Sequence, residues 1–542
     1  MLDINTLPED APRLRALLIE QHQMVQSQSI ELQNRKLEIE RLKFVIAKLQ
    51  RWRFGRSSER LDGDIAQLQL TLEALQSATL GGVVAADPVG TVPVTPRKVR
   101  PIRSGPAPRT ELPAHFVRRD EVRQPAECSC PECGGPLRDL GVDQSEILEA
   151  VPVTFTVTRY IRPKKSCRRC AHIVQAPAPS RPIDKSYAGA SMLALVLNWK
   201  YGAHLPLYRQ QQIFAHQGLD LSRSTLSQWV GSAATLLAPL AQAVSRHVLA
   251  GHTLHADDTP IKVLDPGRGK TKRGHLWTYV RDERPWGSRV PPAVWYQYSS
   301  DWSGTHPQAH LRDYRGALHA DDYAGFEKLY QPSNLNDGAR IVEVSCMGHS
   351  RRRIYEVYDL LKSPLAREGL DQIAQLYAIE DRIRGQSPEI RRAVRQADAV
   401  PVLNGLHTWL LKHVTQFPKT SAFGRALRYP LKHWTALNRY SANGTLEIDN
   451  LAAERSLRGI AVGRRNYLFL GSDNGGDSAA VIYCLIESAK LNSIDPHAYL
   501  HYVLERIADH PVNKVDALLP WNVAEHLNRE RAGQYAPLAC AA

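Results

Sequence analysis

The feature that most constrains this chain is an acidic strand end that occurs twice. In Leu254-His255-Ala256-Asp257-Asp258-Thr259-Pro260, a mostly apolar run from Val248 to Leu254 leads into two adjacent carboxylates. Beyond Pro260, Ile261-Lys262-Val263-Leu264 alternates as a half-buried strand does. Ala317-Leu318-His319-Ala320-Asp321-Asp322-Tyr323 repeats the pattern, with Asp321 placed 64 positions after Asp257. Two strands that each carry acid to a polar end can bring carboxylates together, and like charges repel at short range unless a cation lies between them. The usual cation is a hard divalent ion with oxygen ligands. A pair of such ions clamps the attacking and leaving oxygens of an in-line phosphoryl displacement. A single copy would read as an ordinary turn aspartate; two copies favour the metal site.

A third acid follows. Glu447-Ile448-Asp449-Asn450-Leu451-Ala452-Ala453-Glu454-Arg455-Ser456-Leu457-Arg458 reads as a helix start, with Asp449 or Asn450 available as its cap. Asn450, Glu454 and Arg458 then share one face at i, i+4, i+8. A glutamate there is commonly a solvated partner for an arginine, but an acid-bearing helix after two acid-bearing strands is the order of an RNase H-like nuclease core.

With these motifs on the page, the chain resembles transposases of the insertion sequence 66 family. The resemblance is carried by Leu254–Pro260, Gly269–Lys272, Leu276–Asp282, Arg284-Pro285-Trp286-Gly287, His306–Leu311, Ala320–Phe326, Leu446–Arg458, Gly463–Asp473, Asp509-His510-Pro511 and Leu519-Pro520-Trp521-Asn522. It implies a DDE triad on an RNase H-like fold, which by motif is Asp257, Asp321 and Glu454. It further implies two magnesium ions, with manganese as a substitute, double-stranded DNA as substrate (element ends and target), strand cleavage followed by strand transfer, and small accessory transposition proteins. The position after the first aspartate is usually glutamate and is Asp258 here. Asp322 doubles the second acid, and the usual second asparagine of the Asp-Asn-Asn motif is Leu451. Each doublet leaves its ligand ambiguous by one residue. A DNA-binding regulator with an inactive nuclease fold and a structure-specific nuclease are the rival readings.

The remaining expectations follow the chain, 542 residues with a formal net charge of +14, a balance that suits a polyanion. Residues 1–60 are expected to be a coiled coil and basic segment: Leu18, Val25, Leu32, Ile39 and Ile46 recur every seven residues, which argues for a homodimer or larger oligomer, or for one docked amphipathic helix. Residues 61–112 read as a short helix and a linker. In 113–182, Cys130 and Cys133 precede Cys167 and Cys170 with 33 residues between the pairs, the spacing of a zinc ribbon with structural zinc. Cys128 is spare or an alternative ligand, and alternating Val153, Phe155 and Val157 are candidates for its hairpin. Lys164, Lys165, Arg168 and Arg169 ring the second pair and are candidate DNA contacts. Residues 183–250 read as helix, turn, helix, with Gly218 in the turn and Ser222 or Ser224 capping the second helix. Arg223, Ser224, Thr225 and Gln228 would then face a DNA groove, although a plain helical hairpin fits the same pattern. The catalytic core is placed at 251–495 with an all-helical insertion at about 355–440, followed by a C-terminal segment, 496–542. Cys346-Met347-Gly348-His349 is a candidate auxiliary pair, a kind that recurs after the second acid in several DDE transposase superfamilies; a satisfied core pair is the alternative. Asn450 and Arg455 are auxiliary candidates beside Glu454, while Arg464 and Arg465 continue a basic stripe. Gly471–Gly476 reads as a flexible loop, a weak phosphate cradle without a P-loop lysine. The fold expected is thus multidomain α+β. No apolar run reaches a membrane span and Met1–Asn5 lacks the features of a secretory leader, so the expected setting is the bacterial cytoplasm, at the nucleoid.

Overall fold

The computed structural model describes residues 180–534 except 185 and 332–339, together with residues 155, 157 and 158 and two short strands. The heptad segment, the linker, the ribbon cysteines and Arg168 and Arg169 lie outside the described residues. Of the described residues, those in 182–522 form one compact unit, and those before 182 belong with those after 522 to another. In the latter, β1 (Lys164–Ser166) pairs antiparallel with β2 (Ile173–Gln175), so the described hairpin flanks the second cysteine pair. Phe155 and Val157 are exposed and in no strand, contrary to the alternation.

The large unit opens with α1 (Ala190–Leu197), α2 (Leu207–His216) and α3 (Arg223–Leu249). Gly218 takes the positive φ of 79° that the turn between α2 and α3 requires. The Ser222 hydroxyl caps α3 by accepting from the Thr225 amide at 3.1 Å. At 27 residues α3 is long, and its buried face, including Leu237, Val244 and Val248, lies within the same unit as the sheet.

Five strands make the central sheet: β3 (Thr253–Asp265), β4 (Lys270–Arg281), β5 (Ala293–Ser299), β6 (Gly316–Ala320) and β7 (Ile341–Ser345). Their order is β5-β4-β3-β6-β7. β3, β4 and β5 form an antiparallel meander, while β6 and β7 run parallel to β3. Ile261 and Val263 are buried while Lys262 and Leu264 are exposed, which follows the period-2 pattern. Pro260 does not end β3; it pairs with His275, and its carbonyl accepts from the Arg464 guanidinium.

Between β5 and β6 lies α4 (Thr305–His310). After β7 come six helices, α5 (Met347–Leu361), α6 (Pro364–Ile383), α7 (Pro388–Val394), α8 (Val400–Val414), α9 (Ala422–Lys432) and α10 (Trp434–Ala442). They close around their own apolar core, including Ile354, Ile373, Leu376, Leu403, Leu410 and Leu427. Arg391 and Arg395, both buried, share Glu380; Arg391 also meets Glu447, and Arg395 donates to the carbonyls of Tyr440 and Leu446 at 2.9 Å. The insertion therefore grips the segment that leads into α11 (Leu451–Asn466). α11 packs on β3 and β4, and α12 (Asp473–Leu491) on β5 and α3. Gly471–Gly476 runs into the first turn of α12, capped by Ser472, and Gly476 lies so near Tyr298 that a Cβ would come within 2.5 Å of the ring. α13 (Pro496–Arg506) packs on α1. Among the described residues no helix is long and apolar enough to cross a membrane.

Candidate active site

β3 and β6 run side by side with Leu254 opposite Leu318 and His255 opposite His319. The two copies of His-Ala-Asp-Asp are thus aligned without offset, and continuing the register brings Asp257 level with Asp321. Neighbouring side chains on a strand point to opposite faces, and here the doublets divide accordingly. Asp258 turns to the Nδ1 of His275 at 2.6 Å and accepts from Trp302 Nε1 at 3.1 Å. Asp322 pairs with Lys432 Nζ at 2.9 Å and His433 Nε2 at 3.0 Å, at the end of α9. Asp257 accepts only a backbone bond from the Asp258 amide, 2.8 Å, and Asp321 one from the Tyr323 amide, 3.2 Å. Neither has a cationic side chain bonded to it among the described residues.

Burial and the carboxylate of Asp321, with smaller contributions from Asp258 and Glu454, push Asp257 up to about 8. Burial also raises Asp321, against the opposing pull of His349. Glu454 lies in the first turn of α11. Its Oε2 accepts from Arg352 at 2.8 Å, and its Oε1 lies 3.7 Å from His349 Nε2.

Asn450 was a candidate helix cap, but its side chain makes no capping bond. Fully buried, it donates from Nδ2 to the Ala256 carbonyl at 2.7 Å and accepts at Oδ1 from His255 Nδ1 at 3.1 Å. Its backbone amide points at Cys346 Sγ, 3.2 Å away. The helix entrance is served instead by Asp449, which accepts from the Leu451 amide at 3.1 Å. Leu451 itself is 37% exposed, so the apolar residue at this motif position fills no core.

Two residues escaped the reading of the sequence as functional candidates. His255 and His319 stack at 4.3 Å between centroids, buried beneath the acids. His319 Nε2 accepts from the Glu447 amide at 3.0 Å, which leaves Nδ1 to donate to the Leu254 carbonyl at 3.3 Å. Burial lowers His255 to about 4 and His319 to about 3, so both are neutral at pH 7. Their signal was the histidine in both motif copies. Through Asn450 and Glu447 they tie the entrance of α11 to the two acid-bearing strands.

Cys346 precedes the first turn of α5 without a side-chain capping bond and is 1% exposed, with burial pushing its thiol up to about 12. It lies with His349 and Glu454, their ligand atoms all within 4.8 Å of one another. Arg455 lines a cavity of about 510 Å³ with Asp282, Arg284, Arg384 and Glu487. Arg464 is spent on Pro260, as above, and Arg465 is exposed. Arg223, Ser224 and Gln228 are exposed and Thr225 half-buried on the first turns of α3, while Lys164 and Lys165 lie on β1.

Comparison with known proteins agrees along the chain. Residues 185–478 match the model described as Transposase IS66 family, 484–521 the IS66 C-terminal element, 127–171 the zinc-finger binding domain of transposase IS66, and 41–120 Transposase C of IS166 homeodomain. The chain is 39% identical over 497 residues to the uncharacterized protein y4hP of Sinorhizobium fredii (strain NBRC 101917 / NGR234), covering 89% of this chain and 88% of that one. It is 30% identical over 539 residues to the uncharacterized protein y4qI of the same strain, covering 96% and 98%. The match at residues 127–171 supports structural zinc in the ribbon, and the matches together imply DNA as partner. This multidomain chain, with its zinc finger and mixed α/β core, belongs to the IS66 transposase family.

Proposed function

We propose that this transposase cleaves DNA strands at insertion-sequence ends and joins them to a target, using Asp257, Asp321 and Glu454 as a DDE triad on an RNase H-like core. The observation that carries the reading is the register of β3 and β6, His255 opposite His319, which when continued puts Asp257 level with Asp321, with Glu454 on α11 acting on Asp257 as a further carboxylate. An antiparallel meander followed by two parallel strands supports the RNase H-like assignment. The donor set fits a hard divalent cation, with magnesium the candidate: burial and the carboxylates of Asp321, Asp258 and Glu454 push Asp257 up to about 8 when no cation offsets them. When bound, a pair of such ions supplies activation of water, or of a 3′-hydroxyl, and stabilisation of the leaving 3′-oxygen.

The chain's own residues do the positioning. Asp258 and Asp322 are engaged by their own side-chain partners, His275 and Trp302 for the first and Lys432 and His433 for the second, which leaves Asp257 and Asp321 to serve as ligands. Asn450 and the histidine pair hold the α11 entrance against β3 and β6. Arg223, Ser224, Thr225 and Gln228 are proposed as base and phosphate contacts, with Lys164, Lys165, Arg168, Arg169 and Arg465 adding backbone contacts. Cys130, Cys133, Cys167 and Cys170 are the proposed zinc ligands. Assembly through the heptad segment, and accessory proteins, belong to the same proposal.

The test is a cleavage assay on a duplex carrying an element end. Asp257→Asn, Asp321→Asn and Glu454→Gln should each abolish cleavage and transfer while end binding, read by fluorescence anisotropy, persists. Asp258→Asn and Asp322→Asn should retain substantial activity. Cleavage in magnesium by all three triad variants would refute the catalytic reading.

A further inference from the structure

We propose that Cys346, His349 and Glu454 form a site for a transition-metal ion of the zinc type, and that an ion held there withdraws Glu454 from the carboxylate triad. The three residues come from two elements: the Cys-x-x-His turn that opens α5, and the first turn of α11. Their ligand atoms lie within 4.8 Å of one another. Around a tetrahedral zinc, with bonds of about 2.0–2.3 Å, ligand atoms sit roughly 3.3–3.8 Å apart. Side-chain rotations of about an ångström would close the set.

A second observation is independent of that spacing. His349 Nδ1 and Glu454 Oε1 are both shielded from solvent and have no hydrogen-bond partner. The contact between His349 Nε2 and Glu454 Oε1, 3.7 Å, is too long for a hydrogen bond. An unsatisfied buried polar atom is unfavourable, and one on each of two residues that approach to 3.7 Å points to a missing ion or ligand. Glu454 Oε2 is already held by Arg352, so the unpartnered Oε1 is the atom on offer. The Asn450 amide, 3.2 Å from Cys346 Sγ, favours the thiolate.

The donor set decides the metal. A thiolate and an imidazole select zinc or cobalt and reject magnesium, which prefers oxygen alone. On binding, the Cys346 thiol releases its proton to solvent as the sulfur–metal bond forms; nothing is oxidised or reduced. The consequence, zinc inhibition of cleavage, rests on the function proposed above, whereas the site does not.

The experiment titrates Co²⁺ into the full-length, zinc-loaded protein. One further equivalent should bind with a thiolate-to-cobalt charge-transfer band. The band should vanish in Cys346→Ser, and affinity should fall at least tenfold in His349→Gln and Glu454→Gln. Cys484→Ser, which removes the other buried free cysteine among the described residues, should leave the band intact. Circular dichroism checks the fold of Cys346→Ser, and His349→Gln provides an independent readout. A band equal in wild type, Cys346→Ser and His349→Gln, or no band at all, overturns the site. If Glu454→Gln is inactive and no Cys346-dependent band forms, the site alone fails; if the band forms and Glu454→Gln still cleaves, the function proposed for Glu454 fails and the site stands.

Discussion

Replacing Asp257 with asparagine should make the protein more stable while it abolishes catalysis. Asparagine keeps the shape and the oxygen that accepts the Asp258 amide at 2.8 Å, but removes the charge. Asp257 titrates at about 8 in the fold against 3.8 for an ordinary aspartate. A carboxyl raised in this way costs nothing below pH 3.8. The penalty then grows by about 1.4 kcal/mol per pH unit up to pH 8 and is constant above. The full product would approach 6 kcal/mol; side-chain relaxation and water entry reduce it, so we expect a gain of about 2–4 kcal/mol for the variant at pH 8. Urea denaturation of both proteins in magnesium-free buffer at pH 5 and pH 8 measures it. The asparagine protein should lead at both, with the gap widening by roughly 2 kcal/mol between them. Saturating magnesium should narrow or reverse the order, because only the wild type gains from binding. A gap that does not change with pH, or a less stable variant at pH 8, would refute the crowding of carboxylates on which the argument depends.

Other outcomes follow from the same geometry. Asn450→Ala removes two buried hydrogen bonds and should cost about 3 kcal/mol in denaturant unfolding, with a larger loss of cleavage than of DNA binding. Arg395→Ala leaves Glu380 with the longer contact to Arg391, 3.4 Å, and should cost about 3 kcal/mol, whereas an exposed control, Arg465→Ala, should cost less than about 0.5 kcal/mol. His255 and His319 are neutral in the fold and titrate near 6.5 when unfolded, so their contribution is complete above pH 6.5 and is lost as pH falls toward 4; His319→Gln should flatten the acid limb of a stability–pH profile. Metal analysis should find about one zinc per chain, removed by replacing Cys130 and Cys167 together with serine.

The two acid-bearing strands and the helix that carries Glu454 were legible in the sequence, because apolar periodicity and turn residues report local geometry directly, whereas the alternation of Val153, Phe155 and Val157 misled. Also legible were the duplicated acids in Leu254–Pro260 and Ala317–Tyr323, from which the proposed cation site starts. The doublets were not resolved by the same signal. Period-2 alternation says that Asp257 and Asp258 face opposite ways, but not which way faces the site. The two members of each doublet are distinguished by side chains distant in sequence: His275 and Trp302 engage Asp258, and Lys432 and His433 engage Asp322. Asn450 likewise looked like a cap because its neighbours are helical, and became a clamp because β3 presents the Ala256 carbonyl and His255 to it. Arg455 follows Glu454 by one residue, yet the helix turns it about 100° away toward a different cavity. Local pattern determined which groups are present and on which elements. The packing of α11 and the insertion against the sheet decided which of them meet, since a charge takes its role from the partners that long-range contacts bring within a few ångströms.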